Sequence, residues 1–242
     1  MFTRSARFYD ALYAWKDYAG EAKKLHELIQ RHKRCPGNTL LDVACGTGKH
    51  LVHLREHYEV EGLDLDADML AIARQRLPDV TFHHADMADF DLGRLFDVIV
   101  CLFSSIGYVK TVARLERALR CMARHLSPGG LVIIEPWFTP EAYHPGTIHA
   151  TFVDEPDLKI ARINVSEQQD RISVLDFHYL VGTPARVEYF TEHHELGLFT
   201  QEEYLTAFRT AGLEAFHDLE GLTGRGLYLG IRPIETATEV GG

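Results

Sequence analysis

A chain of 242 residues with 46% apolar content can bury one substantial core, and the expected organisation is a single globular domain with an insert. Its formal charge of -10 and pI near 5.7 argue against a nucleic-acid backbone as partner, because binding one needs a basic surface. No apolar run approaches the ~20 residues of a membrane span, the polar start Phe2-Thr3-Arg4-Ser5 is no signal peptide, and Cys35, Cys45, Cys101 and Cys121 form no C-x-x-C pair; a cytoplasmic protein with reduced thiols, acting on a small molecule, is expected.

Residues 5 to 33 open with Tyr9-Asp10-Ala11-Leu12-Tyr13 and run through Asp17-Tyr18 to Leu25, Leu28 and Ile29, whose spacing is helical. Lys33-Arg34-Cys35-Pro36-Gly37-Asn38 ends that helix. A leading segment so rich in tyrosine has two readings, a lid over a bound cofactor or a set of aromatic core anchors. The run Leu40-Leu41-Asp42-Val43 then breaks into Ala44-Cys45-Gly46-Thr47-Gly48, and a helix over 49–58 follows. An apolar strand ending in glycines fits a fully buried strand whose turn lets a ligand approach the backbone, and a helix starting there points free N–H groups at it. Leu51 stands where a dinucleotide fingerprint wants its third glycine. Asp42 gives the turn an acidic wall, which repels phosphate and suits a cation.

The second strand, 60–64, ends at Asp64, which is 18 residues past Gly46. That is the place where doubly wound nucleotide folds grip ribose hydroxyls, and a carboxylate does so with charge-assisted bonds. Asp66 and Asp68 read as caps of the helix that carries Met69 and stops before Pro78. A third strand over 80–87 ends in Asp86 and Met87. A fourth, 96–103, leads into Ser104-Ser105-Ile106-Gly107-Tyr108, a loop at the strand end where open α/β sheets bind ligands. After a helix over 112–125 and the turn Ser127-Pro128-Gly129-Gly130, a fifth strand covers 131–135. Short β-branched and aromatic segments at 148–153, 160–165, 172–181 and 187–198 predict an inserted antiparallel layer that covers the strand ends. Thr200 and Glu203 have capping-box spacing, and strands over 213–219 and 227–231 close the chain. The expected boundaries are a lid at 1–36, a cofactor-binding core at 37–138, the β layer at 146–199, a return to the core at 200–233 and a loose tail at 234–242.

No metal site is expected. His83-His84 and His193-His194 are adjacent on strands and point to opposite faces. His53 and His57 share a helix face, but in a His-Leu-Arg-Glu-His order that is not the zinc-protease one and with no third ligand in view.

The glycine turn with its acidic wall resembles the motif of class I S-adenosylmethionine-dependent methyltransferases, with Ala44 at the usual first glycine. Over nearly the whole length the chain is similar to the dTDP-3-amino-deoxyhexose N,N-dimethyltransferases of the desosamine and mycaminose type. The carriers are Tyr9-Asp10…Tyr13, Lys16-Asp17-Tyr18-Ala19…Glu21-Ala22, residues 40–48, residues 103–108, Glu135-Pro136-Trp137 and Gly224-Arg225-Gly226-Leu227. The resemblance implies an α/β fold, a Rossmann-like sheet with a terminal antiparallel hairpin. It implies S-adenosylmethionine held by Asp42, Ala44, Gly46, Gly48, Asp64, Leu65, Met69, Asp86, Met87 and the Phe103 backbone, with Tyr18 of the lid near the methionine end. Tyr13 and Tyr108 are the candidates for positioning an acceptor amine or passing its proton. Histidine can stand at the Tyr108 position in the family, and tyrosine, with a pKa near 10, is a poor base at neutral pH, so Tyr108 is given a hydrogen-bonding role. Tyr9, Ser104, Ser105, Trp137 and His178 are candidate substrate contacts, and Arg225 a candidate clamp for the diphosphate. Trp137 and His178 have core packing as their other reading. The expected partner is a nucleotide-linked amino sugar, with a homodimer as candidate assembly. An O- or C-methyltransferase of another metabolite, and a non-catalytic cofactor-binding protein, are the alternatives.

Overall fold

The computed structural model describes residues 4–234. The leading segment folds in three pieces: a 3-10 turn at Ala6–Phe8, the short helix α1 (Tyr9–Leu12) and the long helix α2 (Tyr18–His32). Asp17 enforces the break, because its carboxylate caps α2 by accepting the Gly20 N–H at 2.9 Å. The chain then alternates: β1 (Thr39–Val43), α3 (Lys49–Leu54), β2 (Glu59–Asp64), α4 (Ala67–Arg76), β3 (Thr81–His84), β4 (Phe96–Cys101), α5 (Val112–Arg124) and β5 (Leu126–Ile134). The antiparallel strands β6 (Ile148–Glu155), β7 (Leu158–Gln169), β8 (Ile172–Gly182) and β9 (Val187–Gly197) follow. α6 (Gln201–Thr210), β10 (Glu214–Asp218) and β11 (Leu227–Ile231) return to the first sheet, and α6 opens with the Thr200–Glu203 capping box.

The main sheet has seven strands in the order β10-β11-β5-β4-β1-β2-β3. Every pair among β1 to β5 is parallel, and β11 runs antiparallel to both β5 and β10. A parallel sheet must be covered on both faces, and the strand residues show it: Leu41 and Ile99 face the side of α5 and α6, while Leu40 and Val98 face the side of α2 to α4. The carboxyl ends of β1, β2 and β4 therefore open onto one edge, where a ligand can sit.

The four-stranded sheet presents a buried inner face that includes Tyr179, Val181 and Phe190, and against it pack Phe8 and Leu12 of the leading segment. Lid and β layer thus share one apolar cluster. Along β8 the odd residues 177, 179 and 181 point inward while Asp176, His178 and Leu180 are exposed.

Several boundaries differ from expectation for local reasons. α3 stops at Leu54, not 58, because residues 56–58 curl into a turn that buries Tyr58 and bonds its hydroxyl to His26 Nδ1 at 2.9 Å. β3 ends at His84, leaving Asp86 in a tight turn with Asp89. β4 stops at Cys101, since Phe103 and Ser104 adopt φ of 51° and 62°, which no strand continues. β5 begins at Leu126, with Ser127-Pro128-Gly129-Gly130 accommodated as an irregularity: the register jumps from Phe96↔Leu126 to Val98↔Leu131. Apart from Ile234, the expected loose tail lies outside the described residues.

Gly62 of β2 lies directly beneath the glycine turn. A Cβ there would meet the Phe82 ring at 2.7 Å and Cys45 Sγ at 2.8 Å. Gly62→Ala is expected to lower stability by about 1–3 kcal/mol, the usual cost of overpacking, read as a drop in the denaturant midpoint; an unchanged midpoint would show that β2 and the turn can move apart freely.

Candidate functional site

Two adjoining chambers open where the strands end. The larger, about 780 Å³, is walled by Tyr9, Ala44, Gly46, Asp64, Leu65, Met69, Asp86, Met87, Ser105 and Tyr108, with Arg114 at its rim. The smaller, about 360 Å³, is lined by Tyr9, Tyr18, Asp42, Ala44, Gly46, Phe103 and Ser105 together with Lys49 and His50. Their shared wall is the glycine turn. Ala44, Gly46 and Gly48 take φ of 61°, 55° and 75°, so Ala44 holds a left-handed conformation that glycine would take without strain. Gly48 is not on either wall. It is the N-cap of α3, and a Cβ there would touch Ala73 of α4 at 3.4 Å, so its part is packing of the turn.

Asp64 Oδ2 accepts the Gly46 N–H at 2.7 Å and Oδ1 accepts the Asp66 N–H at 2.8 Å, so one carboxylate joins the ends of β1 and β2. Asp66 is indeed a cap, accepting from the Asp68 and Met69 N–H groups. Burial, opposed by those backbone hydrogen bonds, raises the Asp64 carboxyl. Burial followed by the charge of Asp64 pushes Asp42 well up, and among the described residues no ion pair relieves it. Two neighbouring acids facing a cavity favour a cationic ligand. Asp86 caps its own turn through the Ala88 N–H at 2.8 Å and accepts from Arg114 Nη2 at 2.7 Å, with lone pairs left for a ligand in the cavity.

The leading segment is pinned at both ends. Thr47 of the turn donates to Asp10 at 2.8 Å, and Arg76 of α4 pairs with the other Asp10 oxygen. At the other end Glu192 of β9 accepts the Arg4 and Ser5 N–H groups at 2.8 and 3.0 Å and the Ser5 hydroxyl at 2.5 Å. Tyr9 and Tyr18 are thereby held over the chambers, and burial lifts both phenols. Phe103 is fixed from below: Glu135, wholly buried at the end of β5, accepts its N–H at 2.7 Å and also takes Thr223 at 2.9 Å and Arg225 at 3.2 Å.

On the acceptor side the expected residues separate. Tyr108 reaches the larger chamber and bonds His194 Nδ1 at 2.8 Å. Tyr13 packs edge-on to Phe103, with centroids 5.1 Å apart, and its hydroxyl accepts from Arg162 at 2.9 Å. Ser105 lines both chambers, whereas the Ser104 hydroxyl is buried and spent on the Pro136 carbonyl at 2.7 Å; Ser104 lines neither chamber, so it shapes the loop and is not a substrate contact. His178 is also corrected: strand alternation sends it to the outer face of the β layer, where it stacks on Tyr189. Trp137 lies outside both chambers, donating to Ser173 at 2.8 Å, with the Arg225 guanidinium 5.9 Å from its ring. The sequence reading missed Arg114, Lys49, His50, Glu135, Glu192 and His194. Lys49 and His50, which directly follow the glycine turn, and Glu135, at a strand's carboxyl end, carried a positional signal; Arg114, Glu192 and His194 meet the site only through tertiary folding.

Residues 40–130 match a family described as a methyltransferase domain. The dTDP-3-amino-3,6-dideoxy-alpha-D-glucopyranose N,N-dimethyltransferase of Streptomyces fradiae is 44% identical over 93% of this chain and 90% of its own. The chain belongs to the amino-sugar N,N-dimethyltransferase family of S-adenosylmethionine-dependent enzymes. A second family member, the dTDP-3-amino-3,4,6-trideoxy-alpha-D-glucopyranose N,N-dimethyltransferase of Streptomyces venezuelae, is 42% identical over 93% of this chain and 97% of its own. Among solved structures, Streptomyces venezuelae DesVI superposes with a TM-score of 0.89 at 40% identity, covering 95% of this chain and 99% of DesVI. CalS10, a SAM-bound amino pentose methyltransferase from Micromonospora echinaspora, gives 0.84 at 38% identity, covering 96% and 98% of the two chains. This methyltransferase uses S-adenosylmethionine, and its own residues fit that cofactor: the unrelieved acid Asp42 suits the sulfonium and ammonium of the methionine end, and Asp64 adds a second carboxylate on the wall of the larger chamber.

Asp64→Ala is expected to weaken S-adenosylmethionine binding about tenfold or more, the loss of a charge-assisted hydrogen bond. Calorimetric affinity equal to that of the parent protein would remove Asp64 from the cofactor site.

Proposed function

We propose that the enzyme dimethylates the amine of a dTDP-linked amino-deoxy sugar. The observation that carries this reading is the extent of the match to the Streptomyces fradiae protein, 93% of this chain. A match confined to residues 40–130 would mean only a shared cofactor fold. Here it also takes in the leading segment and the β layer, the parts outside 40–130 that enclose an acceptor. A cytoplasmic setting belongs to the same proposal, consistent with four free thiols at Cys35, Cys45, Cys101 and Cys121.

Bound S-adenosylmethionine supplies a methyl group on sulfonium that an aligned amine lone pair can take. The protein's residues have three tasks. Asp42 and Asp64 hold the cationic end and the ribose. Tyr9 and Tyr18, with Phe103, close the chambers against water. Tyr108 offers a hydroxyl for the amine; burial first, then the nearby Tyr13, drives its pKa far above the usual value for tyrosine, so it stays protonated and orients the amine without acting as a free base. Alignment alone is worth effective molarities of roughly 10⁵ to 10⁸ M, so no strong base is needed for the displacement itself. Arg225 keeps a quarter of its side chain exposed while Glu135 holds one edge, and the free edge is the proposed diphosphate contact.

Incubation with labelled S-adenosylmethionine and dTDP-3-amino sugars tests the reading, with a product gain of two methyl groups expected by mass. Transfer only to an alcohol or carbon acceptor would replace it with the O- or C-methyltransferase reading. Arg225→Ala is expected to raise the sugar-nucleotide KM about tenfold or more with little change in the cofactor KM; an unchanged sugar KM would take Arg225 out of the pocket.

The assembly we propose is a homodimer through the outer face of the β layer. Phe152, Ala161, Leu180 and Tyr189 stand opposite one another across all four strands, and Ile148, Val165 and Ile163 extend the patch. Phe152, Leu180 and Tyr189 are 69%, 51% and 60% exposed, an apolar surface that a second copy of the same face would cover. Light scattering should give twice the 27.5 kDa chain mass, and Leu180→Asp should halve it; a parent protein at one chain mass would rule the dimer out.

A further inference from the structure

Dimethylation creates a proton problem that alignment does not solve. Each transfer leaves the nitrogen as an ammonium, which has no lone pair, so a second methyl can be accepted only after a proton has left. The Tyr108 hydroxyl, which reaches the larger chamber, cannot keep that proton.

Behind Tyr108 the structure holds a file of polar groups leading away from the cavity. The Tyr108 hydroxyl is 2.8 Å from His194 Nδ1. His194, on β9, is 1% exposed, and its Nε2 lies 3.8 Å from Glu192 Oε2, two residues away on the same face of the strand. Glu192 is buried as well and carries the hydrogen bonds from Arg4 and Ser5. The ring of Phe177 seals the imidazole edge-on at 5.2 Å, and the Arg162 guanidinium of β7 sits over the other side of Phe177 and Tyr13. Neither His194 nor Glu192 lines the cofactor chambers, so nothing in cofactor binding calls for an ionisable pair at this depth. A buried imidazole and carboxylate are costly to keep where apolar side chains would pack.

We infer that His194 is a positioning residue that takes the acceptor amine's proton through the Tyr108 hydroxyl, with Glu192 facing the opposite ring nitrogen. The inference rests on the amine-acceptor reading above. In the step, one N–H bond of the sugar ammonium breaks and its electron pair stays on nitrogen. The Tyr108 oxygen gains that proton while its own moves to His194 Nδ1. The imidazolium formed lies between Tyr108 and the Glu192 carboxylate, and it returns its proton to water by the same path once the product has left. No electrons change hands and no phenolate forms.

The charges suit this direction. Burial lowers His194, against the raising influence of Glu192, so the imidazole waits neutral at pH 7. Burial would raise Glu192, but the nearby His194 ring and hydrogen bonds from Ser5 and Arg4 hold it at about 2, so it waits ionised. Arg162 opposes a second positive charge nearby, which favours release of the proton after turnover.

His194→Asn keeps an oxygen to accept the Tyr108 hydroxyl but cannot take a proton. With a dTDP-3-amino sugar near pH 7, its kcat should fall on the order of 10²-fold, with both KM values within about threefold of the parent enzyme. The deficit should shrink as pH rises and the amine deprotonates in solution, and Tyr108→Phe should show the same pH-dependent deficit. A merely structural role would give a deficit that is constant with pH, and that result, or a kcat within about twofold of the parent, would overturn the relay. A second readout needs no turnover. ¹⁵N NMR of the imidazole in the resting enzyme should show Nδ1 unprotonated and shifted in Tyr108→Phe, and a protonated Nδ1 would overturn the relay. If the parent enzyme methylates no dTDP-amino sugar, the acceptor reading falls by itself, and the NMR result still decides the tautomer the relay requires.

Discussion

Two carboxylates, Asp42 and Asp64, sit at the ends of neighbouring parallel strands, and the site depends on the cost of burying them. β1 and β2 are covered on both faces as parallel strands must be, and their ends are the edge where the chambers lie. An acid there is raised by burial and by its neighbour, and a cation relieves both. Asp64 adds a mechanical role through its bonds to the Gly46 and Asp66 N–H groups: the carboxylate that faces the ligand also sets the shape of the turn. Binding and local folding are therefore linked, and the left-handed Ala44 is tolerated because the surrounding bonds over-determine it.

Everything beyond the turn is arranged to bring groups from distant parts of the chain to this edge. Glu135 illustrates how. With no exposed surface, it gathers the Phe103 N–H, Thr223 and Arg225, so the loop after β4 and the turn before β11 are tied to one carboxylate at the end of β5. A buried carboxylate with its donors satisfied is a rigid joint; stripped of them it would be an uncompensated charge.

The fold was legible where physical periodicity is strong. The buried strands, the Thr200–Glu203 capping box and the four alternating segments of the β layer were all visible in local pattern, and β11 fell on the expected residues. Strand ends were less so, because what stops β4 is the backbone geometry of Phe103 and Ser104, two residues with no intrinsic preference for positive φ. The chamber walls near the glycine turn were legible because they are close in sequence to a recognisable motif. His178 misled because resemblance supplied a role that the parity of β8 denies. Glu192 and His194 were illegible for the opposite reason: on an alternating strand they are ordinary inward positions, and it takes the docking of β9 beside residues 105–109 to give His194 the Tyr108 hydroxyl and the leading segment to give Glu192 the Arg4 and Ser5 N–H groups.

The two anchors of the lid differ in how they meet solvent. Ser5 and Glu192 are bonded in a buried setting, whereas the Asp10–Arg76 pair has side chains 31% and 23% exposed. Dissolved ions screen the second and hardly reach the first. Rising ionic strength therefore weakens the Asp10–Arg76 anchor beside the glycine turn more than the Ser5–Glu192 anchor on the β layer.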